Sequence, residues 1–216
     1  MNRTRIKICG LTREADLDAA IAAGADAVGF VFYPPSPRNL SPQRAAELLR
    51  RVPAFITTVG LFVNAEAEDV RAVLEVAPVN LLQFHGDEDG AYCRKLGNQF
   101  GRPWIKAARV RPELDLLEYA AEFEGAAGLL LDAYVEGYGG GGKTFDWNLI
   151  PARLPLPVIL SGGLDAGNVA AAVKAVRPWA VDVSSGVESL EKGHKDAVKI
   201  AEFIAGVRNA DAGSSV

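Results

Sequence analysis

The chain has 216 residues, of which 49% are hydrophobic and 23% charged, and this balance excludes a disordered chain and predicts a single globular domain. Its 23 basic and 27 acidic side chains give a net charge of -4, which argues against a nucleic-acid partner. Two cysteines are too few for a disulfide framework, and neither a signal peptide nor the roughly 18 consecutive apolar residues of a membrane span is present. We therefore expect a cytoplasmic protein with no membrane partner.

Short apolar runs rich in β-branched residues alternate with Ala- and Leu-rich stretches of helical spacing along the chain. The pattern predicts eight strands, at residues 5–9, 27–33, 56–63, 81–85, 103–110, 128–134, 157–162 and 180–184. It also predicts helices between them, among them 13–23, 42–51 with Ser41 as N-cap, and one that begins at Asp165 or Asn168.

Eight strand-helix units indicate an α/β protein with parallel strands, for which a closed (β/α)8 TIM barrel and an open doubly wound sheet are the alternatives. The number of strands favours the barrel, and no Gly-x-Gly-x-x-Gly fingerprint follows the first strand. Polar and glycine residues cluster directly after the strands, at the end where a barrel binds its ligands. We expect one TIM-barrel domain over residues 1–208 and a frayed tail over residues 209–216.

Two residues at strand ends are candidates for acid-base chemistry. Cys9 ends the first strand and shares its face with Lys7, since side chains alternate along a strand. A free cysteine is more often a small buried hydrophobe than a catalyst, so both interpretations stay open. Asp132 closes the apolar sixth strand, where a carboxylate is costly unless it is paired, serves as a cap or takes part in chemistry.

Three further polar residues are candidates for binding. Gln83 and His85 share one face of the fourth strand, where they either contact a ligand or satisfy backbone groups. Arg38 lies in the proline-stiffened segment YPPSPRNL. Its guanidinium either binds a carboxylate through two nitrogens or is a solvated surface charge.

Glycine-rich turns follow the last two strands. They read Ser-Gly-Gly-Leu at 161–164 and Ser-Ser-Gly-Val at 184–187, and their backbone N–H groups predict an anion site where barrels bind phosphate. Another glycine run, at 137–144, fits the pattern G-x-x-x-x-G-K-[ST] in its letters, but Pro151 and Pro155 soon break any helix after it. We interpret that run as a loop over the site rather than a nucleotide-binding loop.

Seven segments together resemble the phosphoribosylanthranilate isomerase family. They are KICGLT, GFVFYPPSPRNLS, LQFHGDE, LLLDAY, the glycine run before KTFDW, LSGGL and DVSSGVE, in this order between about residues 5 and 205. The run contains Gly141 where the family usually has Thr or Ser. The resemblance implies an Amadori rearrangement in tryptophan biosynthesis, from N-(5-phosphoribosyl)anthranilate to 1-(2-carboxyphenylamino)-1-deoxyribulose 5-phosphate, with no metal and no organic cofactor.

The same resemblance implies a role for each candidate. Asp132 matches the acid that opens the sugar ring, and Cys9 matches the base that removes the proton from carbon 2. Arg38 matches the site of the anthranilate carboxylate, His85 lines the aromatic end, and Gln83 is a further substrate-binding candidate. The phosphate is implied at Gly162, Gly163, Ser185 and Gly186.

A thiol that acts as a base needs a nearby positive charge, because a free thiol titrates near about 8.5. Lys7 shares the strand face of Cys9, and strands one and eight are neighbours in a closed barrel. We therefore infer that Lys7 also pairs with Asp182, since an unpaired lysine inside the barrel would be costly.

Two other functions stay open. One is another sugar-phosphate lyase or epimerase, and the other is a non-catalytic protein that binds a phosphorylated ligand. A metal-dependent epimerase would need a cluster of His and Asp ligands. The chain has only two histidines, which argues against the metal-dependent form of this function. In each case we expect a small-molecule ligand and a monomer or homodimer.

Overall fold

Eight parallel strands close into a barrel in the computed structural model, which describes residues 3–134 and 144–213. The strands are β1 (Arg5–Cys9), β2 (Ala27–Phe32), β3 (Thr57–Phe62), β4 (Leu81–Phe84), β5 (Trp104–Val110), β6 (Gly128–Ala133), β7 (Val158–Leu160) and β8 (Ala180–Val183). Each strand pairs with the next, and β8 pairs with β1. The predicted TIM barrel is confirmed.

Helices connect the strands, except that the described part of the segment between β6 and β7 contains only a 3-10 turn, where a strand-helix unit was predicted. Within the described ranges they are α1 (Glu14–Ala23), α2 (Pro42–Leu49), α3 (Ala67–Val76), α4 (Gly90–Phe100), α5 (Leu116–Glu122), α6 (Val169–Val176) and α7 (Ala197–Ala212), with short 3-10 turns at Trp147–Leu149 and Ser185–Val187. The N-cap of α2 is the predicted one, since the Ser41 side chain accepts the N–H of Arg44. Asn168 precedes α6, while Asp165 accepts hydrogen bonds in the turn before it. None of these helices is long and apolar enough to span a membrane.

Several strands end earlier than predicted. The sixth is Gly128–Ala133 rather than 128–134, and the seventh is Val158–Leu160 rather than 157–162. Gly162 shows the reason, because its φ of +80° cannot continue a strand. The apolar pattern located the strands, but not the points where the backbone leaves the sheet.

The barrel interior changes from apolar to polar along the strands. An apolar cluster fills its centre, made of Leu81, Ile105, Ala107, Leu130, Ile159 and Ala180. Polar residues follow on three of these strands, two positions after Leu81, Leu130 and Ala180. They are Gln83, Asp132 and Asp182, and they face inward as well because side chains alternate along a strand. A larger cluster between strands and helices buries Phe30, Phe62, Phe84 and Phe203. The polar interior therefore opens at the carboxyl ends of the strands.

The C-terminal tail is helical where a frayed tail over 209–216 was predicted. Helix α7 continues to Ala212, and Ala210 is buried. Asp211 accepts hydrogen bonds from the backbone N–H and the hydroxyl of Thr4, each at 2.8 Å, which joins the last helix to the start of β1. The prediction of a frayed tail is wrong for residues 209–212. The contact that docks the tail joins distant parts of the chain, and no local sequence pattern indicates it. Residues 214–216 lie outside the described ranges.

We expect Asp211→Ala to lower the free energy of unfolding by about 1–3 kcal/mol, because it removes the acceptor of both Thr4 hydrogen bonds. Urea unfolding measures the change. Glu202→Ala is the matched control, since it removes an exposed carboxylate from the same helix and should cost at most about 0.5 kcal/mol. Equal stability of the two variants would show that the contact does not hold the tail.

Candidate active site

The predicted acid and base lie at the same end of the barrel. Cys9 is the last residue of β1, Asp132 is the residue before the end of β6, and both are buried. Because all strands run parallel, their carboxyl ends form one mouth. Gly29 of β2 makes room for the thiol, since a Cβ there would lie 2.8 Å from Cys9 Sγ. Sequence reasoning did not single out this glycine.

A chain of hydrogen bonds holds Asp132. Its Oδ2 lies 3.1 Å from His85 Nε2, and His85 Nδ1 lies 2.9 Å from Gln83 Nε2. With Gln83 Nε2 as the donor of the second contact, His85 Nδ1 accepts, and Nε2 carries a hydrogen that it donates to Asp132. Asp132 Oδ1 accepts the N–H of Ala133 at 2.9 Å. Gln83 is fully buried, and its amide contacts His85 rather than the open mouth.

Arg38 is buried, not solvated, and forms an ion pair that the sequence did not indicate. Its Nε and Nη2 bind Glu188 Oε1 and Oε2 at 2.6 and 2.8 Å. The fork expected for a ligand carboxylate is therefore occupied by a carboxylate of the chain itself. A Cβ on Gly10 would lie 2.5 Å from Arg38 Cδ, so the arginine passes directly beside the residue that follows Cys9.

Glu188 accepts two further hydrogen bonds. Its Oε1 lies 3.1 Å from Lys195 Nζ and 3.1 Å from the backbone nitrogen of Gly193. Burial alone would raise the pKa of Glu188, but the hydrogen bond from Arg38 and the charge of Lys195 outweigh it and hold that pKa below its usual value. Glu188 lies within the segment DVSSGVE, but only its burial distinguishes it from a surface glutamate.

The inferred pair between Lys7 and Asp182 is present. Lys7 Nζ lies 2.8 Å from Asp182 Oδ1, both side chains are buried, and the two residues are register partners on β1 and β8. Burial alone would lower the pKa of Lys7, but Asp182 and Cys9 outweigh it and raise that pKa. Lys7 is therefore charged and largely neutralised by its partner.

The Cys9 thiol has a raised pKa in the free protein. Burial is the main cause, and the negative charge of Asp182 acts in the same direction. Lys7 and Lys195 act against it without reversing it. The positive charge that the sequence located in Lys7 does not by itself make Cys9 a thiolate.

The two glycine turns predicted to bind phosphate lie against each other. A Cβ on Gly186 would lie 1.9 Å from a backbone oxygen of the other turn, so the close approach requires glycine. Gly162 and Gly163 have φ values of +80° and +62°, which also favour glycine. A Cβ on Gly162 would lie 3.1 Å from Asp132 Oδ1. Ser185 begins the 3-10 turn after β8 and directly precedes Gly186.

Residues 3–134 and 144–213 contain no cluster of His, Cys, Asp and Glu that could hold a metal ion. The glycine run that we interpreted as a loop over the site includes residues 137–143. That part of the run, with Gly141, lies outside the described residues.

Comparison with known proteins identifies the family. The family model described as N-(5'phosphoribosyl)anthranilate (PRA) isomerase matches residues 6–206. The chain belongs to this family. The PRA isomerase of Dechloromonas aromatica (strain RCB) is 66% identical over 209 residues, which cover 97% of this chain and 98% of that protein.

Two solved structures of PRA isomerases share the fold. The crystal structure of the enzyme from Thermotoga maritima has a TM-score of 0.86 at 42% identity, covering 95% of this chain and 99% of that chain. A PRA isomerase in complex with reduced 1-(o-carboxyphenylamino)-1-deoxyribulose 5-phosphate has a TM-score of 0.81 at 38% identity. The match covers 95% of this chain and 99% of that chain.

Membership of the PRA isomerase family confirms the resemblance seen in the sequence. The chain is an isomerase that catalyses the rearrangement of N-(5'-phosphoribosyl)anthranilate in tryptophan biosynthesis. The sugar-phosphate lyase or epimerase and the non-catalytic binding protein are thereby excluded as the main function.

Proposed function

We propose that Asp132 is the acid and Cys9 the base of the PRA isomerase reaction. Asp132 gives its proton to the ring oxygen of the ribose, the bond from carbon 1 to that oxygen breaks, and an iminium forms with the anthranilate nitrogen. The Cys9 thiolate takes the proton from carbon 2, and the electrons of that C–H bond move into the iminium to give an enolamine. The enolamine tautomerises to 1-(2-carboxyphenylamino)-1-deoxyribulose 5-phosphate, so neither a metal nor an organic cofactor is required.

The hydrogen-bond chain on Asp132 is the observation that carries this proposal. His85 Nε2 and the Ala133 backbone nitrogen each donate to one carboxylate oxygen. Such donors hold the group in place and stabilise the anion that remains once the proton has been delivered. Gln83 keeps the imidazole in the tautomer that donates to Asp132. His85 lines the aromatic end of the substrate, and Gln83 supports the site through His85.

The anthranilate carboxylate binds Arg38 through Nη1. The other two nitrogens, Nε and Nη2, bind Glu188, and Nη1 has no partner among the described residues. The contact is therefore end-on rather than the two-nitrogen fork that the sequence suggested. Glu188 orients the guanidinium for this contact.

The phosphate binds backbone N–H groups of Gly162, Gly163, Ser185 and Gly186. Two facts support this assignment: the turns touch each other, and Gly162 borders Asp132. Positive φ at Gly162 and Gly163 gives this turn a backbone path that favours glycine, and without side chains an anion can approach the backbone N–H groups closely. The phosphate end and the reacting end of one substrate then lie beside the same carboxylate.

Replacing Arg38 with alanine should raise KM by about 10- to 150-fold and change kcat much less, which corresponds to about 1.5–3 kcal/mol for a hydrogen bond to a charged group. The reason is that a bond to the remote carboxylate is present in both the ground state and the transition state. Steady-state kinetics measure the change. Arg44→Ala, which removes a surface arginine paired with Glu14 and Glu47, is the control. An unchanged KM in folded Arg38→Ala would remove Arg38 from the binding site.

The enzyme works in the cytoplasm on a small-molecule substrate, without nucleic-acid or membrane partners, as a monomer or homodimer. The net charge of -4 and the two free cysteines support these assignments. Light scattering on the purified protein distinguishes the two assembly states.

Loss of the fluorescence of N-(5'-phosphoribosyl)anthranilate on addition of the purified chain tests the proposed reaction directly. Mass spectrometry of the products should show an isomer of unchanged mass that carries a ketone. A folded chain that leaves the substrate unchanged, or that releases anthranilate, would contradict the proposal.

A further inference from the structure

Lys195 is a buried cation that the proposed reaction does not use. It lies in the segment between β8 and α7, and its side chain is 0% exposed. Its Nζ lies 3.0 Å from the carbonyl oxygen of Ser184, 3.2 Å from the Ser184 hydroxyl and 3.1 Å from Glu188 Oε1. A buried ammonium costs free energy, so its retention beside the mouth points to a role.

The buried ion cluster made of Arg38, Glu188 and Lys195 carries an excess of positive charge. Both cations contact the same carboxylate oxygen, so two positive charges face one negative charge. The neighbouring pair of Lys7 and Asp182 is balanced. The ion cluster therefore favours an additional anion in its surroundings.

Ser184, which Lys195 contacts, lies beside the end of β1 that carries the thiol. Strands β1 and β8 pair with Ile8 opposite Val183, so Cys9 and Ser184 are the next residues of this register. A Cβ on Gly10 would lie 3.2 Å from Ser184 Oγ, which shows how near this hydroxyl comes to the end of β1. When Lys195 donates to Ser184 Oγ, the hydroxyl hydrogen remains available to an acceptor such as a thiolate.

We propose that Lys195 is a positioning residue that stabilises the Cys9 thiolate through Ser184. This inference deepens the proposed function, on which it rests for the role of Cys9 as base. Lys195 adds a positive charge to that of Lys7, which Asp182 largely neutralises.

The other charged groups around the thiol act in both directions. Lys7 favours the thiolate, while Asp182 and burial oppose it. Arg38 and Glu188 act on Lys195, and Asp132 and His85 lie across the mouth. Burial lowers the pKa of the Lys195 ammonium, and Glu188 opposes that change. Lys195 stabilises the thiolate only while it carries its proton, so the effect fades as the pH rises through its lowered pKa.

The rate of Cys9 alkylation by iodoacetamide, followed by peptide mass spectrometry from about pH 7 to 11, tests the proposal because only the thiolate reacts. In Lys195→Gln the midpoint should rise by about one pH unit, with alkylation about tenfold slower at neutral pH, whereas Lys195→Arg should keep the midpoint. Cys93 is an internal reference, because burial raises its pKa to about 12.

Lys199→Gln is the matched control. Lys199 Nζ donates to the backbone oxygen of Glu188 at 2.8 Å, so its loss loosens the same segment without removing a charge from the ion cluster. An unchanged midpoint in Lys195→Gln, or an equal shift in Lys199→Gln, would overturn the proposal.

Ser184→Ala keeps the test decisive if Lys195→Gln does not fold. It removes only the hydroxyl to which Lys195 donates, and the midpoint should rise by about half a pH unit. No change in folded Ser184→Ala would overturn the route through Ser184. Alkylation needs no substrate, so a failure of this inference is distinguishable from a failure of the proposed reaction, which is read by turnover.

Discussion

Replacing Cys9 with serine is expected to lower kcat by roughly 10²- to 10⁴-fold with little change in KM. Serine keeps the shape and a hydrogen-bonding group, but its hydroxyl stays protonated where a thiol can ionise. In the wild-type enzyme kcat/KM should rise with pH as the thiol of the free enzyme ionises. Because burial raises the pKa of Cys9, this rise should lie above the ordinary titration range of a thiol, and the serine variant should lack it.

Cys93→Ala is the control for this experiment. Cys93 is the other free cysteine, buried on α4 and away from the mouth, and its replacement should leave kcat near the wild-type value. If folded Cys9→Ser kept nearly full kcat, the thiol would be structural. Asp132 would then be the first candidate to transfer both protons.

The Asp132→Asn substitution should reduce kcat by a similar factor, roughly 10² to 10⁴, because an amide cannot deliver the proton that opens the ring. The asparagine oxygen can accept from His85 or from the N–H of Ala133, and its NH2 group then faces the other donor. The ground-state contacts at the carboxylate and phosphate ends stay intact, so KM should change little. Steady-state kinetics on the folded variant measure both parameters.

Asp115→Asn is the matched control, since Asp115 is an exposed carboxylate that caps α5 and should leave kcat unchanged. Asp132→Glu is a second comparison, because it keeps a carboxyl group that can deliver a proton. Its kcat should therefore be higher than that of Asp132→Asn. If Asp132→Asn kept kcat within about tenfold of wild type, another group would supply the proton.

The sequence predicted the barrel and the faces of the strands well, because both depend on local patterns. Alternation of side chains places Gln83 and His85 on one face, and the two residues are hydrogen-bonded in the structure. The same alternation, with closure of the barrel, led to the pair of Lys7 and Asp182, which lies within hydrogen-bond distance. These expectations need only the period of a strand and the order of the strands.

The partners of the polar groups could not be predicted in the same way. Arg38 pairs with Glu188, 150 positions away, and this contact buries an arginine that the sequence left open as either a carboxylate-binding or a solvated residue. Asp211 and Thr4 are 207 positions apart, and their contact makes the predicted frayed tail a docked helix. Such pairs depend on loops whose path has no periodic signal, so no local pattern indicated them.

The sequence by itself determined the eight strands, the family and the position of Cys9 and Asp132 at the ends of their strands, because strand period and motif order are properties of the chain alone. Only the tertiary structure decided the electrostatics of that mouth. The state of a buried ionisable group depends on how many charges and donors surround it once water is removed. The tertiary structure sets that number, by bringing Lys195 and Glu188 to the residues that the sequence had already singled out.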